Sequence, residues 1–331
     1  MPKPLHLVLK FPVDYKIAGG ATDTITEHKL VCDRNNRLIW GQGSQRTSEG
    51  VSDKNKSKLI DQITKGVNTY TLFLANNKGN KELYVGKMLN IYGRGKIPFG
   101  SPLTNFIPSY YASTVGTPAD INNVFVDVCT FFRIDDKYIG DITLEKNGDR
   151  VIDVKNSSSV FLVNITEELK NFISDMLSNP ETNFQYQVEQ EDVPDDVTVE
   201  DKPKGKPSKT SGSGTSSYKR DSKTSKTAIV TAKYKCEIDI THKDFISRVT
   251  KKNYVEAHHL IPMEYQDDFP TNSIDVEANI VSLCVGCHKK LHHAEYAVIE
   301  PLIEKLYDDR IDRLKDCNIG LPKAKLHSYY K

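Results

Sequence analysis

Two adjacent histidines, His258 and His259, sit in the run Tyr254-Val-Glu-Ala-His-His-Leu-Ile-Pro262. Downstream, Asn279-Ile-Val-Ser-Leu-Cys-Val-Gly-Cys-His-Lys-Lys-Leu-His292 brings an asparagine, a Cys284-x-x-Cys287 pair and the histidines His288 and His292. Glu256 stands two residues before His258. Neutral imidazole accepts a proton near neutral pH and also ligates divalent metals. His288 and His292 are four apart, so a helix would place them on one face. A Cys-x-x-Cys pair supplies half of a tetrahedral zinc site. A lone His-His or a lone Cys-x-x-Cys is ordinary in proteins. The joint order carries the signal: an Asn twenty residues after His259, a His nine further on, another four beyond, with the cysteines in register.

That set resembles the HNH (ββα-metal) nuclease family, over about residues 234–293. The resemblance implies a strand, a loop, a second strand and a helix wrapped around one divalent ion. It makes His259 the general base and His258, His288 and His292 ligands of the catalytic ion, with His293 an alternative to His292. Asn279 would brace the loop and orient the base. Glu256 would bind a metal-bound water or orient a ligand. Phosphodiester hydrolysis needs an in-line water, an acceptor for its proton, and charge on the leaving oxygen. Few protein ligands leave open positions, which suits Mg²⁺ or Mn²⁺; imidazoles would also accept Ni²⁺ or Zn²⁺. Zinc-bearing members usually carry a second Cys-x-x-Cys. Here Cys236-Glu-Ile-Asp239 has Asp in that place, and the nearest good ligand is His242. The expected structural Zn²⁺ site is therefore Cys236, His242, Cys284 and Cys287, with Asp239 as the alternative fourth ligand. Cys32, Cys129 and Cys317 read as buried or incidental.

The elements that must position these groups belong to a chain of 331 residues with a net charge of +1. Charge alone thus says little about partners. Six scattered cysteines are not the dense framework of a small secreted domain. No run approaches the ~18 apolar residues of a membrane span, and the expectation is a soluble, cytoplasmic protein. The fold class is α+β in two domains. Residues 188–227 read as a flexible linker, acidic first and then basic and Ser-rich, with too little apolar surface to offset its ordering entropy. Residues 1–187 carry strand signals at Arg37–Trp40, Tyr70–Leu74, Leu83–Leu89 and Asn123–Arg133, with a hairpin turn at Asn76–Asn80. Helices are expected at Val51–Ile63 and Thr166–Leu177. The mix predicts a curved mixed sheet or barrel with flanking helices. Residues 228–331 form the second domain. Ile229–Ala232 reads as a strand there, and Pro301 should start or break a helix.

A ββα-metal motif contacts mainly backbone phosphates, which position without specifying. Specificity would then come from residues 1–187. Their aromatic and Gly-rich pieces offer Trp40, Tyr92, Tyr110 and Tyr111 as base-stacking candidates, against the plainer reading of Trp40 as core. The order of reader then nuclease is similar to modification-dependent restriction enzymes of the McrA type. The strand order is faintly similar to the PUA-like EVE, ASCH and SRA readers. The implied partner is double-stranded DNA; one motif serves one strand, so a double-strand break needs two chains or two successive nicks, and a homodimer on DNA is the expectation. A signal-activated defence nuclease, a mobile-element endonuclease and a non-catalytic zinc-stapled nucleic-acid-binding protein are the competing readings.

Overall fold

The computed structural model describes residues 3–13, 23–43, 50–154, 158–207, 209–211 and 216–331. The chain divides into two compact units. Residues 1–178 make most of the first, and residues 179–209 with 216–331 make the second. No helix among the described residues is long and apolar enough to cross a membrane.

The first unit is built on a mixed sheet. Its strands are β1 (His6–Pro12), β2 (Leu38–Gly43), β3 (Tyr70–Asn77), β4 (Asn80–Gly93), β5 (Asn122–Val128), β6 (Phe132–Ile134), β7 (Ile142–Leu144) and β8 (Val160–Ile165). The order is β2-β5-β4-β3-β1-β8-β7, with β6 also on β4. β1 runs parallel to β3, and the other pairings are antiparallel. Helices α1 (Thr24–Asn35), α2 (Asp53–Thr64), the short α3 (Ser109–Ala112) and α4 (Glu167–Ser178) accompany the sheet. The hairpin expected from Asn76–Asn80 is present. Asn77 pairs with Asn80, and Lys78 and Gly79 take positive φ of 50° and 94°, as a tight hairpin turn demands. β4 pairs with β3 and β6 in its first part and with β5 after a register shift between Met88 and Asn90, so one long strand bends from one half of the sheet to the other. Gly86 lies near that bend. A Cβ there would stand 2.8 Å from the Thr130 carbonyl oxygen, so only glycine permits the crossing.

The sheet's apolar face buries Leu7, Leu9, Leu38, Phe73, Val126 and Phe131 around Trp40. Trp40 is 2 % exposed. Its ring stacks on His28 at 3.6 Å and lies 4.6 Å from Phe11 and 4.9 Å from Phe73. It is a core residue and not a base-stacking platform. Tyr111 is structural too: its hydroxyl accepts from the Gly41 amide at 2.9 Å, and burial pushes the phenol well above its usual pKa. The Tyr92 hydroxyl donates to Asp127, which Arg37 grips with two hydrogen bonds of 2.9 and 2.6 Å. Tyr110 packs edge-on against Tyr111. Of the four aromatic candidates, Trp40 thus takes the plainer reading as core, while Tyr92, Tyr110 and Tyr111 are half-buried.

The segment read as a linker departs further from expectation. Residues Pro180–Gln190, expected mostly at the end of the first domain, form helix α5, and Ser222–Thr231, mostly within the expected linker, form helix α6. Both belong to the second unit, so its first element begins at residue 180, not 228. Val188 of α5 packs with Ala228, Ile229, Val255, Ala257 and Ile280. Ile229–Ala232 thus ends a helix and does not form a strand; Asp221 caps its start by accepting from the Lys223 and Thr224 amides. The acidic stretch between is held by ion pairs: Asp201 to Arg313 at 2.6 Å and Asp195 to Lys252 at 3.0 Å. Composition undercounted these residues because their partners lie far along the chain. The Ser-Gly piece 212–215 of the linker lies outside the described residues.

The second unit continues with strands β9 (Glu256–His259) and β10 (Ile280–Leu283) and helices α7 (Val285–His293), α8 (Tyr296–Asp308), α9 (Ile311–Asp316) and α10 (Lys323–Ser328). α8 runs through Pro301, which neither starts nor breaks it. Pro301 is exposed, and Ile299, Ile303 and Leu306 anchor the helix in the core, which outweighs one lost hydrogen bond.

Two buried histidines give the first unit a pH dependence. His6 accepts from the Tyr70 amide, and burial, aided by Lys170, lowers its pKa from 6.5 to about 4. Burial lowers His28 to about 3, against the pull of the Thr24 carbonyl. Both folded values lie below the unfolded one, so their stabilisation is complete above pH 6.5 and is lost as pH falls toward 4. Trp40 is the single tryptophan, so its fluorescence reports this unit. The Tm read from it should fall between pH 6.5 and 5, before most carboxylates titrate; a flat Tm there would contradict the assignment. Trp40→Ala should cost about 3–5 kcal/mol, as for a core residue, measurable by urea denaturation followed by circular dichroism.

Candidate metal centre and histidine cleft

β9 and β10 pair antiparallel, with Glu256 opposite Leu283 and His259 opposite Ile280. Alternation along β9 sends the two histidines to opposite sides. Glu256 and His258 face α7, whereas Ala257 and His259 face α5. That is why adjacent residues can hold different posts.

On the α7 side, His258, His288 and His292 bring ligand atoms within 4.8 Å of one another. His288 and His292 are one turn apart, with Nε2 atoms 3.1 Å from each other. Glu256 accepts from His288 Nδ1 at 2.6 Å. This fixes the imidazole so that the unprotonated Nε2 faces His292, an arrangement that matches the usual carboxylate–histidine support of a metal. Glu256 therefore acts on His288. Burial, then the neighbouring His288 and His292, hold His258 well below its usual pKa, which keeps it the neutral ligand that a metal requires. His292, rather than His293, completes the group.

On the other side, His259 Nε2 lies 2.8 Å from Asp275 Oδ1. A carboxylate accepts, so Nε2 carries the proton and Nδ1 is left as the accepting nitrogen. Asp275 is held in turn: its Oδ2 accepts from the Asp221 amide at 2.6 Å. Asn279 does not bond His259. Its Nδ2 donates to the Ile261 and Ile274 carbonyls and its Oδ1 accepts from the Ile261 amide. It braces the loop that carries Asp275, and Asp275 does the orienting.

The histidines open into a cleft of about 400 Å³ lined by Arg220, His258, His259, Glu264, His288, His292, Tyr330 and neighbouring residues. The Tyr330 hydroxyl donates to the Leu260 carbonyl at 2.8 Å and stands 3.1 Å from His258 Nε2. Arg220, Asp275 and Tyr330 lie outside the sequence motif. Only Asp275, an acid inside the loop between His259 and Asn279, carried a local hint.

A second group, Cys236, His242, Cys284 and Cys287, could hold a metal ion. His242 Nδ1 lies 3.5 and 3.4 Å from the Cys284 and Cys287 sulfurs. Tetrahedral Zn–S and Zn–N bonds imply an S···N edge of about 3.5 Å. Asp239 is not the fourth ligand; it sits 3.6 Å behind His242 Nε2, supporting the ring. Cys284 also caps α7 by accepting from the Cys287 amide, and Asp244 accepts from the Val285 amide at 2.8 Å. In the first unit a separate cleft of about 800 Å³ is lined by Lys56, Arg94, Lys96, Asn123 and Lys146 among others, and by none of the four aromatic candidates.

No family model matches the chain, and no curated protein matches it.

The cysteine cluster predicts one tightly held ion per chain. Elemental analysis should show it lost in Cys287→Ser, with the second unit destabilised, because ligand assembly and folding are coupled. Asp239→Ala should keep the ion. Loss in Asp239→Ala with retention in His242→Ala would reverse the ligand choice.

Proposed function

We propose that this chain is a metal-dependent DNA endonuclease of HNH type. One observation carries the reading. A carboxylate-oriented imidazole, His259 with Asp275, and a three-histidine ligand group, His258, His288 and His292, line one cleft from opposite sides of a single strand. Phosphodiester hydrolysis needs those two functions side by side. His259 Nδ1 takes the proton of the attacking water. Asp275 holds the ring and stabilises the imidazolium that forms, as the carboxylate of a catalytic dyad does. His258, His288 and His292 would hold a divalent ion such as Mg²⁺ or Mn²⁺. That ion would supply charge for the scissile phosphate and the leaving oxygen. Glu256 keeps His288 turned toward it. Cys236, His242, Cys284 and Cys287 would hold a structural Zn²⁺ that fixes the start of α7.

The first unit then serves as the reader. Its larger cleft presents Lys56, Arg94, Lys96 and Lys146 against Asp53 and Glu145, a balance that supports a phosphate-bearing partner. Double-stranded DNA fits this best, and one motif per strand favours a homodimer on the duplex. A restriction or phage-defence role follows from a reader joined to a nuclease.

His259→Ala should lower duplex cleavage by about 10²–10⁴ while leaving fold and zinc intact. Asp275→Asn should lower kcat with little change in KM. His288→Ala should raise the Mn²⁺ concentration needed for half-maximal activity. Plasmid cleavage with and without Mg²⁺ or Mn²⁺ checks all three. Wild-type rates in His259→Ala would sink the assignment of the base.

A further inference from the structure

We propose that Arg220 forms an anion subsite in the histidine cleft and binds the non-bridging oxygens of a phosphodiester. The proposal deepens the nuclease reading and rests on it for the identity of the substrate; the phosphate subsite itself is tested separately below.

Arg220 lies well upstream of the histidine motif, yet it lines the same cleft as His258, His259, His288 and His292. It is held from two directions. Its guanidinium stacks over the Phe184 ring at 3.7 Å. Its Nη1 donates to Glu181 Oε2 at 2.7 Å. Both partners are on α5, and α5 is locked to β9. The Gln185 side chain accepts from the Ala257 amide at 2.9 Å and donates to the Ala257 carbonyl at 2.7 Å, as a neighbouring strand would. The next residue in the chain, Asp221, gives its amide to Asp275. The guanidinium is therefore fixed relative to both His258 and His259, the two residues that follow Ala257 in sequence.

A guanidinium has five N–H donors, and Glu181 engages Nη1. The remaining donors are those that pair with phosphate oxygens, in a planar fork that suits them. Burial pushes Glu181 up. The charge of Arg220 and hydrogen bonds from Gln185 and Arg220 outweigh that and hold it below its usual pKa. Glu181 thus orients the guanidinium at the cost of part of its charge. A flat aromatic support and an orienting acid are what a preorganised phosphate clamp requires. A purely structural arginine would also bridge elements, but it would show no phosphate linkage.

The test uses the full-length chain and two variants. Inorganic phosphate is titrated calorimetrically into protein freed of loosely bound metal. Cleavage of a short duplex is then measured at several salt concentrations. Arg220→Gln, which keeps a donor to Glu181, should weaken phosphate binding and raise KM by about 10- to 100-fold, the range of one charge-assisted hydrogen-bonded contact. The slope of log affinity against log salt should fall by about one unit. Glu181→Gln should have the opposite sign on phosphate: it removes a competing anion and leaves the cation, so phosphate binds more tightly. That variant keeps the proposal testable if Arg220→Gln fails to fold. Wild-type phosphate affinity in Arg220→Gln, or no gain in Glu181→Gln, overturns the subsite. If the wild-type chain cleaves no nucleic acid while both phosphate shifts appear, the nuclease reading fails and the anion subsite stands.

Discussion

The carboxamide of Asn279 is the contact on which the histidine cleft depends. It is fully buried and makes three hydrogen bonds across the loop that joins β9 to β10. Its own carbonyl accepts from the Leu260 amide. Gln266, equally buried, repeats the device by bonding the Phe269 and Asn272 carbonyls and the Ile274 amide. Buried amides of this kind are stabilising only when every donor and acceptor is met. Here they are met by backbone groups that a loose loop would expose to water. Without Asn279, the loop would be free to move, Asp275 would leave His259, and the Leu260 carbonyl would no longer hold Tyr330. One amide therefore fixes both the His259–Asp275 pair and one wall of the cleft.

α7 is the second constraint. At nine residues it is too short to be stable alone. Cys284 and Cys287 mark its first turn, and His288 and His292 follow on the next two. Whatever holds the cysteine end also sets the rotation of the helix, and so the approach of His288 to Glu256. Leu291 ties the helix into the larger core, and the buried Arg310 binds Glu237 and the Ala278 carbonyl beneath the hairpin. The cysteine cluster and the histidine group are thus mechanically linked through a single turn of helix.

The histidines, Asn279 and the cysteine knuckle were legible because the groups that cooperate are close in sequence and their spacing repeats the geometry of a strand and a helix. His242 was legible for the same reason. The hairpin at Lys78-Gly79 and the helices near Asp53 and Glu167 were legible from turn and cap chemistry. Arg220, Glu181 and Gln185 were not. Arg220 lies in the polar stretch read as a linker and Glu181 and Gln185 at the end of the expected first domain, and their contacts appear only when β9 is placed beside α5. Trp40 shows the opposite error. An aromatic in a Gly-rich strand looks available for stacking, but the strand's buried face, not its composition, decides where the ring goes.

The packing of α5 and α6 changes what counts as the smallest complete form of the second unit. Ala257 has β10 on one side and the Gln185 side chain on its remaining backbone groups. Cut the chain where the composition changes, near residue 228, and β9 becomes an exposed sheet edge with an uncovered apolar flank of Val255, Ala257 and Ile280. Such an edge invites a second copy of itself to pair. A fragment trimmed to the histidine motif would then be prone to self-association, and any oligomer it formed would be a product of the trimming.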